Sequence, residues 1–392
     1  MRRAAYSHRE IQINVKSGAV SEIRLDGCAT PEGTTSYRAR FNQVAAENHF
    51  RFRKDLWLSS IGAGTYLGNP NEETDRRYLE AVVRAVELGA NVIDTAANYR
   101  FQRSERSIGA ALKQLGDRGF ARQEIFICTK GGYLPFDGGP PLNVRQYIED
   151  TFIRTGIASF SDIAGGAHCM TPRFLGNQLD QSLRNMNLSC VDVYYVHNPE
   201  SQLSAVSPGE FWKRLRRAFE FLEQSVADGK IKNYGVATWN GFRAEPDSPE
   251  YHSLETMVKL ARDLAGDQHH FSFIQLPLNL AMPEALFFEN QNLGDEYVSV
   301  LQAAEALNVN VVASASILQG QVARGLPESV RESLGALATD AQTGIQFVRS
   351  APGITTALVG MSSLSHVEEN LQLVQVEPAS AAELIGVFDQ EE

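Results

Sequence analysis

Four side chains of different kinds stand where a carbonyl and an alcohol could be interconverted. Asp94, Lys130 and His197 each close a short β-rich run, and Tyr99 lies just beyond Asp94. A phenol, with an ordinary pKa of about 10, is a weak acid and a scarce base near neutrality. An ammonium beside it favours the phenolate and lowers that pKa. Lys130 is the candidate for this, and Asp94 could hold Lys130 in place. An imidazole such as His197 can hydrogen-bond a substrate oxygen, polarising it or sharing the proton transfer. A proton is half of such a reaction. The hydride must come from a cofactor, because no side chain supplies one. The ordinary alternative is a strand-end ion pair between Asp94 and Lys130, with Tyr99 a packed loop residue.

For the four to meet, their runs must lie side by side and end on one face. From about residue 55 the chain alternates short β-rich runs with longer amphipathic ones. The strand candidates are Leu58–Ile61, Asn91–Asp94, Ile125–Thr129, Val191–Val196, Asn233–Ala237, Ser272–Leu276, Val309–Ala313 and Thr356–Val359. Helical spacing marks Glu72–Leu88, Phe211–Ala227, Val298–Leu307 and His366–Leu373. Several strands are apolar on both faces, as a parallel sheet covered by helices requires. Eight βα units in a row predict an α/β fold closed as a (β/α)8 TIM barrel, whose active site gathers where strands end. An open doubly wound sheet is the rival. Gly62-Ala63-Gly64 lacks the third glycine and prompt helix of a dinucleotide fingerprint.

Two regions break the rhythm. Residues 1–50 read as an N-terminal accessory arm, leaving 51–392 for the barrel. A weak hairpin is expected over Ile11–Val15 and Val20–Leu25, then a Gly, Pro and Thr-rich loop from Cys28 to Ser36. After the third strand, about forty residues separate Lys130 from the helix starting near Thr171, far above the usual loop length. This long loop, 131–170, is expected to carry a short helix, Asn143–Thr155, and to serve as a lid or a binding loop.

The residue runs around the four resemble the aldo-keto reductase family. Asn91-Val92-Ile93-Asp94-Thr95-Ala96-Ala97-Asn98-Tyr99 looks like its signature, with Ser104-Glu105 following. Phe126-Ile127-Cys128-Thr129-Lys130 and Asp192-Val193-Tyr194-Tyr195-Val196-His197 match its lysine and histidine strands. The similarity spans most of 55–375. It implies that Asp94, Tyr99, Lys130 and His197 form a catalytic tetrad. It also implies a nicotinamide cofactor, NADP(H) in preference to NAD(H), held by Gly64, Thr65, Tyr66, Thr238, Gln275, Ser314, Gly360, Met361, Ser362, His366, Glu369 and Asn370. Asn279 belongs to the same strand-six pattern as Gln275. Several positions depart from the family. Ala237-Thr238 replaces Ser-Asn, Ser314 replaces an aromatic that stacks on nicotinamide, and Ala315-Ser316 replaces Ser-Pro. Asn198 stands where many members carry tryptophan. His366 replaces the arginine that grips a 2′-phosphate, and a neutral imidazole is the weaker anion contact; Arg324 could compensate. Outward N–H groups at the start of the His366 helix suit a phosphate.

Composition bounds the rest. The 392 residues are 43% hydrophobic, enough for a large core, and the net charge of −11 argues against nucleic acid or anionic membrane as partner. No apolar run is long enough to span a bilayer, and the start lacks the apolar core of a signal peptide. Cys28, Cys128, Cys169 and Cys190 form no C-x-x-C pair, which favours free thiols in a reducing, cytoplasmic setting, and Cys128 and Cys190 read as core filling. The histidines lack metal-ligand spacing, so no metal is expected. Phe136, Phe152, Phe160, Trp239 and Phe242 could line a substrate pocket or only pack. Lys213, Arg214, Arg216 and Arg217 read as a solvated helix face. The reading is therefore an NAD(P)-dependent oxidoreductase acting on a small-molecule carbonyl or alcohol. The alternatives are a cofactor-retaining epimerase-type barrel and a non-catalytic nucleotide-binding subunit or sensor.

Overall fold

A computed structural model describes residues 24–388. Eight parallel strands close on themselves: β1 Ile61–Gly64, β2 Val92–Asp94, β3 Phe126–Gly131, β4 Val191–His197, β5 Ile231–Ala237, β6 Phe271–Pro277, β7 Asn310–Ser314 and β8 Ile354–Gly360. Each pairs with its neighbours in sequence, and β8 pairs with β1, as expected of a (β/α)8 barrel. Register decides what shares a level at the C-terminal rim. Gly360, Gly64 and Asp94 are successive partners across β8, β1 and β2, and His197, Ala237 and Gln275 across β4, β5 and β6.

The helices form where caps and apolar stripes coincide. Asn71 caps Glu72–Glu87 through its side-chain oxygen, and Tyr78, Val82, Val83 and Val86 turn inward. Ser207 caps Pro208–Ala227, with Pro208 in the first turn, where a missing N–H costs nothing. Phe211, Leu215, Phe219 and Leu222 bury its inner face. Each such side chain contributes about 1.5–3 kcal/mol on leaving water. No described helix is long and apolar enough to cross a membrane.

The structure corrects several expectations. The first barrel strand is Ile61–Gly64, not Leu58–Ile61. Leu56–Ser59 instead pairs antiparallel with Phe50–Arg53, and its Leu56 and Leu58 join the apolar cluster inside the barrel. The stretch expected as loop contains a helix, Pro31–Ala39, capped by Thr30 and begun by Pro31. Its Gly33 lies so close to the Gln123 carbonyl that a Cβ would sit 2.2 Å from that oxygen. Cys28 and Cys190 form a disulfide, so Cys190 is not the unpaired core filler expected, and the premise of four unpaired cysteines fails. Cys128 and Cys169 are free and buried. The expected Ile11–Val15 hairpin arm lies outside the described residues. What is described of the arm packs on the barrel: Tyr37, Phe41 and Phe50 enter the main core, and Tyr37 donates to Val86 O at 2.6 Å.

The long connection is structured. Its helix, Val144–Ile148, continues into one wider π turn, Glu149–Ile153. Leu134, Ile148, Phe152, Ala158 and Cys169 form a small core of its own against Phe174. Its two ends are zipped together, Leu134 N to Ala167 O and Cys169 N to Gly132 O, both at 2.8 Å.

Candidate active site

A cavity of about 660 Å³ opens at the C-terminal rim of the barrel, and Asp94, Tyr99 and His197 face it. Lys130, at the end of β3, is fully buried behind them. Its ammonium has three acceptors: the Asp94 carboxylate, the Thr95 carbonyl at 2.9 Å and the Tyr99 hydroxyl at 3.2 Å. The other Asp94 oxygen accepts from Gln275 Nε2 at 2.8 Å. The His197 ring stands edge-on to that of Tyr99, 5.8 Å between centroids. The four residues that sequence singled out therefore come together.

Local backbone holds Tyr99 where it is. The next three residues, Arg100, Phe101 and Gln102, all have positive φ, a costly conformation outside glycine. The buried Arg100 side chain compensates. It donates to the Asn69 and Asn71 carbonyls and pairs with Asp75.

Electrostatics around the tetrad follow from burial against pairing. Burial opposes the charge on Lys130, but Asp94 and Tyr99 outweigh it and hold its pKa above the usual value. Burial raises the Tyr99 pKa, and Lys130 recovers only part of that rise. The expectation that Lys130 would lower this phenol's pKa overall is thus reversed: desolvation wins. Burial, helped by Lys130 and His168, pushes His197 well below the usual imidazole range, so its ring is neutral at physiological pH.

Of the positions assigned to a cofactor by resemblance, Gly64, Thr65, Tyr66, Thr238, Gln275, Ser314, Gly360, Ser362 and His366 line the cavity. Met361 points into a core cluster, Asn370 is buried, and Glu369 accepts from Thr339 at 2.9 Å. Thr65 is engaged by the Asp94 carbonyl at 3.1 Å. Asn279 braces the turn after β6, donating to Ala315 O at 3.1 Å. Arg324 is exposed and outside the lining, and the exposed His366 has its N–H already capped by Ser363. The test of fit for a polar cofactor lies on the β5 and β7 side. Thr238 Oγ1 and Ser316 Oγ are buried, line the cavity and have no protein partner. Such orphans are uncommon and call for a ligand or water. Nicotinamide, ribose and phosphate groups supply suitable partners, so the residues present fit.

Among the aromatics, Trp239 lines the cavity while Phe242 packs inward. Phe136, Phe152 and Phe160 stay out of it; Phe152 belongs to the connection's own core and Phe136 stacks on Phe101. The connection contributes Tyr133 instead, which sequence reasoning missed. Also missed was Glu200, whose carboxylate accepts the N–H groups of Trp239 at 2.7 Å and Asn240 at 3.1 Å. Arg214 departs from its solvated-face reading: it reaches inward to Gln202 at 2.7 Å.

Comparison with known proteins agrees with this geometry. The profile of the Aldo/keto reductase family matches residues 60–324. A predicted voltage-gated potassium channel β subunit of Schizosaccharomyces pombe is 25% identical over 361 residues, 87% of this chain and 92% of that one. The NADH-specific methylglyoxal reductase of Escherichia coli is 26% identical over 191 residues, 47% of this chain and 49% of that one. Among solved structures, an aldo/keto reductase from Klebsiella pneumoniae in complex with NADP and acetate superposes with a TM-score of 0.58 at 20% identity, covering 88% of this chain and 95% of that one. At that identity the structural likeness speaks for the fold alone, but the profile covers most of the barrel and every tetrad position, and on that ground the chain belongs to the aldo/keto reductase family.

Proposed function

We propose that the protein is an NAD(P)-dependent oxidoreductase that reduces a small-molecule carbonyl, with Tyr99 as general acid. The observation that carries this is the Lys130 ammonium, bonded at once to Asp94 and to the Tyr99 hydroxyl, with Tyr99 and His197 facing one cavity. When bound, the nicotinamide supplies the hydride. Tyr99, kept protonated by burial, gives its proton to the carbonyl oxygen as that oxygen becomes an alcohol. Lys130 stabilises the phenolate left behind, and Asp94 keeps Lys130 aimed. His197, neutral, donates a hydrogen bond to the same oxygen and fixes its position. In the oxidative direction Tyr99 is the base.

Thr238, Ser316, Gln275 and Ser314 would hold the nicotinamide end, and Gly360, Ser362 and His366 the phosphate end. NADP(H) is the proposed cofactor. The Klebsiella complex favours it, while the NADH-specific relative from E. coli marks NAD(H) as the competitor. A second reading, a nucleotide-binding subunit without turnover, is favoured by one observation: the channel-subunit relative aligns over almost its whole length.

The deciding experiment compares wild type and Tyr99→Phe for aldehyde-dependent NADPH oxidation and for NADPH binding. The expected result is a loss of about 10²–10⁴-fold in kcat with the cofactor Kd unchanged. Equal turnover in both would remove Tyr99 from the chemistry. NADPH binding without turnover in wild type, across a panel of aldehydes and ketones, would favour the subunit reading.

A further inference from the structure

The far end of the long connection carries a histidine that the mechanism above does not use. His168 is buried, with 1% exposed. Its Nε2 stands 2.7 Å from the main-chain oxygen of His197, and its Nδ1 2.8 Å from Gln202 Nε2. An amide nitrogen only donates, so Nδ1 must accept, and the ring proton sits on Nε2 and is given to the His197 carbonyl. The Gln202 amide cannot flip, because Arg214 Nη1 donates to its Oε1 at 2.7 Å. Burial lowers the His168 pKa to about 4, in keeping with that neutral tautomer. Donation thus runs one way, from Arg214 through Gln202 and His168 to His197. Arg214 also donates to the Ser161 and Asp162 carbonyls at 3.2 and 3.4 Å, fastening the connection to the same chain of bonds.

What this chain grips is the peptide joining His197 to Asn198. Its carbonyl is held by His168, and its N–H by the Ala237 carbonyl at 2.6 Å. Asn198 has a φ of 43°, a left-handed break that ends β4 and divides the direction of its side chain from that of His197. Both side chains line the cavity, so a rotation of this peptide would move both. Tyr133 is packed edge-on to the His168 and His197 rings, at 5.2 and 5.1 Å. Gly132 makes the approach feasible. A Cβ there would lie 2.7 Å from His168 Nε2 and 2.9 Å from the His197 oxygen, and its φ of +145° is one that L side chains rarely adopt.

We propose that His168 is a positioning residue: by donating to the His197 carbonyl it aims the His197 imidazole at the substrate oxygen. The connection after β3 then acts on the transition state and does not merely cover it. This rests on the role given to His197 above.

Two substitutions separate aim from packing. In His168→Gln an amide nitrogen can take the place of Nε2 and still donate to His197. In His168→Asn it takes the place of Nδ1 and cannot reach. Expected for His168→Asn is a fall of about 10–100-fold in kcat, with the NADPH Kd unchanged, since an ångström of misplacement costs on that scale. His168→Gln should stay within about threefold of wild type on the same grounds. The nitrogen resonances of the His197 ring should shift in the Asn variant and not in the Gln variant. Should His168→Asn fail to fold, Arg214→Met, remote from the cavity, should move kcat and the His197 resonances in the same direction by less. Equal losses in the Gln and Asn variants, or no change in either, would overturn the proposal. If wild type turns over no carbonyl, the functional reading falls separately, and the His197 resonances alone decide the positioning role.

Discussion

The cavity has two unlike walls. On the β2 to β4 side the hydrogen bonds of Lys130 and Asp94 are all taken up within the protein. All three hydrogens of Lys130 have acceptors, and both oxygens of Asp94 have donors. On the β5 and β7 side, Thr238 and Ser316 carry buried hydroxyls with no protein partner, and the turn after β7 places Ala315, Leu318 and Gln319 at positive φ. The first wall is assembled before any ligand arrives. The second carries unmet hydrogen bonds and backbone strain, costs that a bound ligand would offset. On the function proposed above, the first wall would serve the chemistry and the second the cofactor.

The hardest blow to this contrast is Lys130→Met. It should cost about 10²–10⁴-fold in kcat and, by leaving a buried Asp94 unpaired, about 3–5 kcal/mol of stability. Adding Asp94→Leu should return most of the stability and none of the activity, read from urea midpoints and aldehyde-dependent NADPH oxidation. Stability that does not recover would mean that the first wall is held by more than its ion pair. A sharper probe of the second wall is Thr238→Val. It should raise the NADPH Kd about 3–10-fold, the worth of one ordinary hydrogen bond, while the melting temperature without cofactor stays level or rises. A fall in that temperature would show that the hydroxyl is satisfied without a ligand. The smallest effect belongs to His366→Arg at the exposed rim. NADPH should bind about 2–5-fold tighter relative to NADH, and the gain should fade as salt is raised, as exposed ion pairs do.

That Asp94, Tyr99, Lys130 and His197 would meet was legible because the pattern is local: polar residues at or just past the ends of apolar strands, repeated in order around a closed sheet. The barrel was legible for the same reason. The first strand slipped by three residues because Gly62-Ala63-Gly64 lacks the β-branched side chains that mark a strand, while Leu56-Trp57-Leu58 has the apolar alternation and spends it on a hairpin. The helix Pro31–Ala39 hid behind Gly33, Thr34 and Thr35, although Thr30-Pro31 is a regular helix start. His168, Gln202, Arg214 and Glu200 were beyond reach of local pattern. Their hydrogen bonds run to main-chain and side-chain groups of residues distant in sequence, which no motif records. One signal was present for His168: the pair Gly131-Gly132 directly after the lysine strand marks a place where something must approach the backbone closely.

The bond between Cys28 and Cys190 sets the topology of the molecule as well as its packing. It turns everything from the arm to the foot of β4 into one covalent ring, which holds β1, β2, β3 and the long connection; β4 to β8 hang from it as a tail. A protease that clips the connection between Leu134 and Ala167 opens this ring but frees nothing, since the two fragments remain joined at Cys28–Cys190. The connection can therefore be nicked once without the polypeptide coming apart, until a reductant reaches the opposite end of the barrel.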